Sequence, residues 1–271
     1  MREKAEDLNS KLAKWLKEQG YPLEMTVARA FTKVGFYIIQ SEYYDDPETG
    51  KPREIDVSAS IQKSMDKFMG RVGFCVECKL AKDKPWIIFT SLERQLADPA
   101  RIVQRVASSL GHVLLNRVHK REDIQDLPMF RIPERAGYGL TQAFAAERQD
   151  VPYSAVMSAA KAAFAQAKRA DEAAFMKPVC EVLFPVVVID GKLFECYLDS
   201  GGEVITGEIC TGTLVWRSPV IGMPHTIVHI VTLPAIDSFV QEARETSVAL
   251  LKVCESEQAE LSKSISEYRI V

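Results

Sequence analysis

The chain has 271 residues, enough for one elaborated domain or two small ones. Its 47% hydrophobic and 26% charged residues are ordinary for a globular protein that folds in water. With 34 Lys and Arg against 37 Asp and Glu, the net charge of −3 excludes histone-like binding through bulk charge, while a local basic cleft stays open. The opening MREKAEDLNS has no apolar signal region, and the most apolar run, residues 182–189, is interrupted by Pro185. A membrane span needs about 20 such residues, so no membrane partner is expected. Six cysteines without a secretory signal read as reduced thiols, which places the protein in the cytoplasm.

In chain order, residues 3–18 form an amphipathic helix with Leu8, Leu12, Trp15 and Leu16 on one side and Lys11, Lys14 and Lys17 on the other. Gly20, Tyr21 and Pro22 stop it, and a second helix runs from about 23 to 34, ended by Gly35. Residues 36–45 and 53–62 read as two antiparallel strands joined by the turn cluster DPETGKP, and 72–81 as a third strand continued by KPWIIFT. Residues 99–116 put Ile102, Val103, Val106, Leu110, Val113 and Leu114 on one helical face. Residues 122–138 carry Pro128, Pro133 and Gly137 and read as irregular connection, and 154–175 as an Ala-rich helix. A strand at 180–190 meets Gly191, where Asp-Gly signals a hairpin; short strands then lead to about 233. Asp237 is expected to cap a long final helix to about 264, whose stripe of Val240, Ala243, Leu250, Cys254 and Leu261 would pack on the core or serve a homodimer.

Three acids and a lysine fall where chemistry could use them. Strand alternation turns Arg53, Ile55 and Val57 one way and Glu54, Asp56 and Ser58 the other, and in the third strand sets Glu77 and Lys79 together, opposite Phe74, Val76 and Cys78. At about 4.8 Å between strands, Asp56 comes within reach of Glu77 and Lys79. Glu24 sits on the apolar stripe of the second helix with Val27, Ala28 and Phe31. A carboxylate there needs a cation or donor, and a metal on Asp56 and Glu77 would supply one.

Glu24 in the helix before the first strand, Asp56 in REIDV and Glu77-Cys78-Lys79 in VECK resemble the PD-(D/E)xK nuclease superfamily. The resemblance covers roughly residues 20 to 90, and Ile55 stands where the family usually has a proline. It implies a restriction-endonuclease-like α/β sandwich: a central mixed sheet flanked by helices, with extra C-terminal strands and a long terminal helix. The core would occupy residues 1–190 and a packed elaboration 191–271. It also implies a Mg²⁺-dependent nuclease, with Mn²⁺ able to substitute, acting on DNA in preference to RNA, alone or in a larger restriction, phage-defence or repair complex. Asp56 and Glu77 would be metal ligands, Lys79 the catalytic lysine and Glu24 a supporting or second-metal ligand. A bound Mg²⁺ would lower the pKa of the attacking water and act as a Lewis acid on the phosphate. The alternative is a catalytically silent nucleic-acid-binding or protein-interaction module on the same fold.

Other signals have plainer readings. Cys75-Val-Glu-Cys78 has zinc-finger spacing, but in a strand alternation sends the two thiols to opposite faces. His225 and His229 share a strand face without an acid to orient them, and TGKP lacks the upstream glycine of a P-loop. Arg101, Arg105, Arg117, Lys120 and Arg121 form an acid-free basic stretch; Arg101 and Arg105 with Ser108 and His112 make a polar helix stripe that could face a phosphate backbone.

Overall fold

Two long parallel strands organise the protein. The structure, a computed structural model, describes residues 7–92, 99–131, 133–144, 150–173, 177–217 and 225–268. Helices α1 (Leu8–Glu18) and α2 (Tyr21–Lys33) precede strands β1 (Tyr37–Asp45), β2 (Pro52–Ser64) and β3 (Met69–Leu92). A 3-10 turn (Pro99–Gln104), β4 (Val106–Ala107), α3 (Ser109–Val118), α4 (Glu122–Gln125), β5 (Arg135–Gln142) and α5 (Val151–Glu172) come next. Then β6 (Val179–Leu198), β7 (Val204–Ile209), β8 (Thr211–Trp216) and β9 (Thr226–Thr232) lead to α6 (Ile236–Ser256) and α7 (Gln258–Tyr268).

β3 and β6 pair in parallel from Met69↔Val179 to Phe89↔Cys196. Helices cover both faces of this pair, so residues 180–189 of β6 are all buried, and from Val182 on they read as a continuous apolar run rather than an alternation. The other side of β3 pairs antiparallel with β2 over residues 69–76 and with β5 over residues 86–92. β6 carries β4, β9 and β7 in succession on its other side. Because β5 meets β8 at Gly137↔Leu214 and β8 pairs with β9, strands β3, β5, β8, β9 and β6 form a closed circuit.

One face of the sheet packs against α2, α3 and α6 through an aromatic core in which the Phe74 and Phe184 rings stack at 5.1 Å. The other packs against α5, whose Ala155, Ala159, Ala163 and Ala167 let the helix lie close to Cys75, Leu183 and Val187. The expected α/β class, a large mixed sheet flanked by helices, is the one the chain adopts. No helix among the described residues is long and apolar enough to cross a membrane.

Several expected elements are redrawn. The helix expected at 99–116 starts only at Ser109, because Val106 and Ala107 add to the edge of β6 and Ser108 caps the shortened helix, its Oγ accepting the Gly111 N–H at 3.1 Å. Residues 135–138, expected to be irregular, begin strand β5, and residues 122–125 form α4. No hairpin forms at Asp190-Gly191: β6 runs through, and the turn comes at residues 199–203, where Asp199 Oδ1 accepts N–H groups of Gly201 and Glu203 at 2.8 and 2.9 Å. The final helix divides between α6 and α7, and Asp237 lies in its first turn without a side-chain cap. Val240, Ala243, Leu250, Cys254 and Leu261 are all buried in the core. The division expected at residue 190 falls inside β6, and β7, β8 and β9 join the same sheet. Residues 3–6 and 174–175, the ends of two expected helices, lie outside the described residues.

Candidate active site

The site forms where β2 leaves β3. Their ladder ends at Val57↔Val76, and β5 joins β3 only at Trp86, so the stretch of β3 between them has no strand on that side. Asp56 is the first residue past the ladder. Its Oδ2 accepts the Cys78 N–H at 2.6 Å, satisfying a backbone donor that the departing strand leaves behind.

The regular alternation expected in β2 is broken at this level. Val57 and Ala59 join the core beneath α2 and α6, whereas Ile55 packs with Tyr44 and Cys75 on the α5 side. In β1 the break falls at Ser41, with φ 54°, between the pairs Gln40↔Val57 and Glu42↔Ile55. A non-glycine residue in the left-handed region costs on the order of 1 to 3 kcal/mol, and such strain concentrates at functional sites.

In β3 the alternation holds. Glu77 and Lys79 share a face, and Lys79 Nζ donates to Glu77 Oε1 at 2.6 Å. Glu77 is 6% exposed, and its Oε2 is buried without a hydrogen-bond partner. Burial and the Asp56 charge push the Glu77 carboxyl up to about 7. Burial also raises Asp56, against the Cys78 N–H and Lys79. Glu24, one turn into α2, is raised by burial and then by Asp56 and Glu54. Burial opposes the Lys79 charge, but Glu77 and Asp56 outweigh it and hold the amine above its usual value. Glu77 and Lys79 are in contact, Asp56 acts on both through its charge, and Glu24 is joined to them by its charge alone.

Glu77 Oε2 is buried without a hydrogen-bond donor, and a divalent cation is a partner whose chemistry would suit it. Mg²⁺ takes one or two carboxylates and completes its shell with waters and phosphate oxygens. Among the described residues no group of three or more His, Cys, Asp or Glu side chains is placed to hold a metal. The oxygens at hand are therefore those of Asp56 and Glu77, with Glu24 as a neighbouring charge. Sequence reasoning missed Tyr44, a buried phenol raised by burial and by the Glu77 charge; only the register of β1 on β2 brings it there.

The basic stretch does not form the expected stripe. Arg105 is buried, its Nη2 donating to Met129 O at 2.7 Å and its guanidinium lying near the Phe130 and Phe184 rings. Arg117 pairs with Glu257 at 2.7 Å and Arg121 with Asp123 at 2.7 Å, while Lys120 is exposed. The side chain of Arg101 lies outside the described residues. Cys75 and Cys78 sit in different cores as alternation requires, and all six cysteines are free. His229 is buried and His225 exposed just before β9. Comparison with protein families, with curated proteins and with solved structures finds no match to this chain.

Proposed function

We propose that the protein is a divalent-metal-dependent nuclease of the restriction-endonuclease-like fold, hydrolysing phosphodiester bonds of DNA in preference to RNA in the cytoplasm. The observation that carries this reading is the orphaned, buried Glu77 Oε2 beside Asp56, with Lys79 tied to the same glutamate. Asp56 and Glu77 would hold a Mg²⁺, which when bound supplies a Lewis acid and a water acidic enough to attack near neutral pH. Lys79 is held at 2.6 Å from Glu77, so its ammonium is fixed rather than sampling the four-carbon reach of a free lysine. From there it orients the attacking water and stabilises charge developing on the phosphoryl oxygens. Asp56 has a second task, since its bond to the Cys78 N–H fixes the carboxylate on the bare edge of β3. Glu24 adds negative charge from α2.

The test is cleavage of labelled DNA and RNA by purified protein with Mg²⁺ or Mn²⁺. DNA should be cut, and Lys79→Ala should lose at least about 100-fold of the rate, the scale of one positioned proton-transfer or charge-stabilising group. Asp56→Ala should also lose Mn²⁺ binding by titration. No cleavage under any metal condition, or full activity in Lys79→Ala, overturns the proposal. The lack of a three-ligand group among the described residues favours a second reading, a silent module on the same fold. Such a module would bind nucleic acid or protein, and wild-type protein would take up no Mn²⁺.

A further inference from the structure

The bare edge of β3 is the floor of a cleft as well as the seat of the acids. Beyond Lys79 the strand continues through Leu80 and Ala81, which line a cavity of about 660 Å³ reaching Gln142 at the end of β5. Its outer wall is α1, placed there as Gly20, between α1 and α2, packs on Leu80. Lys14 and Lys17 come from α1, and Lys82 and Lys84 from β3; Glu18 is the one acid among the described lining residues. Lys82 is paired with Asp190 at 3.0 Å, whereas Lys14, Lys17 and Lys84 have no ion-pair partner among the described residues. Lys14, Lys17 and Lys84 outnumber Glu18 around the cleft, so like charges repel there, and a polyanion lying between them reduces that repulsion.

Resting on the nuclease reading, we propose that this cleft seats the phosphodiester backbone of the substrate and leads it to Asp56, Glu77 and Lys79. Lys14, Lys17 and Lys84 neutralise successive phosphates, and α1 is the wall that keeps the strand against β3. At about 3.3 Å per residue, the five residues from Lys79 to Lys84 span on the order of 17 Å, room for about five nucleotides of one strand. Lysines meet phosphate as point charges without the fork geometry that reads base edges, so the cleft positions the chain without selecting sequence. The basic surface therefore lies on the N-terminal helix and the continuation of β3, away from the Arg101–Arg121 stretch.

The test compares wild type with the double variant Lys14→Glu/Lys17→Glu. Because α1 buries no side chain, this charge reversal leaves the core untouched, and an unchanged urea transition verifies it. Binding of a fluorescent 20-base-pair duplex is followed by anisotropy in EDTA across a NaCl series, and cleavage is measured separately with Mg²⁺. Losing two phosphate contacts should flatten the slope of log K against log salt by about 1.8 and weaken binding at low salt at least about tenfold. The cleavage rate at subsaturating DNA should fall in step, while Lys67→Glu, on the turn between β2 and β3, should match wild type. Wild-type binding and slope in the double variant overturn the cleft while leaving the nuclease reading intact. Failure of the wild type to bind or cut DNA removes both.

Discussion

Arg105 illustrates how far a side chain's role depends on the backbone that carries it. Had residues 99–116 been one helix, the guanidinium would have faced solvent in a polar stripe. An edge strand and a short 3-10 turn instead turn it inward, where Nε and Nη1 are buried without partners and burial lowers its pKa to about 9. A buried cation without a counter-charge is poor value for stability beside an apolar side chain of like volume. Arg105→Met should therefore leave DNA affinity unchanged and keep or raise stability, by up to about 2 kcal/mol in urea unfolding. His229 sits in the same core between the Phe184 and Phe239 rings, its pKa lowered to about 3 by burial and by Arg105. With a depressed folded pKa, the unfolded chain binds the extra proton, so stability is full above the usual histidine value near 6.5 and falls as pH drops from there toward 3. The slope should approach about 1.4 kcal/mol per pH unit below pH 6, and His229→Leu should remove that component in urea titrations at pH 7 and pH 5. The placement of Glu77 and Lys79 on one strand face was more legible than that of either residue. Glu77 and Lys79 follow from alternation in a regular strand, whereas the fate of Arg105 depended on where the helix begins.

At the level of elements, the strands carrying the site were readable because β1 and β2 are joined by a strong turn signal and the first half of β3 alternates, although the break at Ser41 and Asp56 was not. The failures share one cause: a local signal overridden by pairing with a distant strand. Asp-Gly at 190–191 is a sound hairpin signal taken alone. Here the glycine serves close approach, since a Cβ on Gly191 would run into the backbone carbonyl of Ala81. The contact lies where β3 and β6 shift register, two residues beyond Lys79. Gly191→Ala should therefore force the strands apart beside the site, costing about 2 kcal/mol or more of stability, the scale of an overpacked core. It should also slow cleavage at temperatures where the fold persists, because Lys79 and Glu77 are displaced together. Wild-type stability and rate in Gly191→Ala would mean that the contact is relieved by a small local shift. Strand β5 was hidden in the same way: Gly137 looks like a breaker, but it pairs with Thr90 and Leu214, and a Cβ there would collide with the Ile88 side chain and the Thr213 carbonyl oxygen.

For the whole molecule, the composition permitted one domain or two, and the chain order encouraged a core followed by an elaboration. The sheet does not respect that boundary. β6 crosses it, β9 pairs with β6 at Val186↔His229 to Ile189↔Thr232, and β8 closes the circuit onto β5. On the helical side, Phe239, Val240, Leu250 and Leu261 complete the core that contains Phe74 and also Val57 and Val76, the strand residues adjoining Asp56 and Glu77. This dependence was illegible from sequence because parallel pairing joins segments far apart along the chain and leaves no short-range signature. It has a direct consequence for truncation. A fragment ending at Asp190 would keep Glu24, Asp56, Glu77, Lys79 and all the lysines of the cleft, yet would expose the β6 edge and strip α6 from the sheet. Such a fragment should retain helical and strand signals in far-ultraviolet dichroism, bind ANS, and unfold in urea without a sharp transition, the behaviour of a chain that has lost specific packing. It should also show no metal-dependent cleavage. A sharp transition with intact activity would instead make residues 1–190 an independent unit and the C-terminal strands dispensable. The closed strand circuit and the shared core favour loss of cooperativity, because the two larger apolar clusters, one on each face of the sheet, both draw residues from the stretch after Asp190.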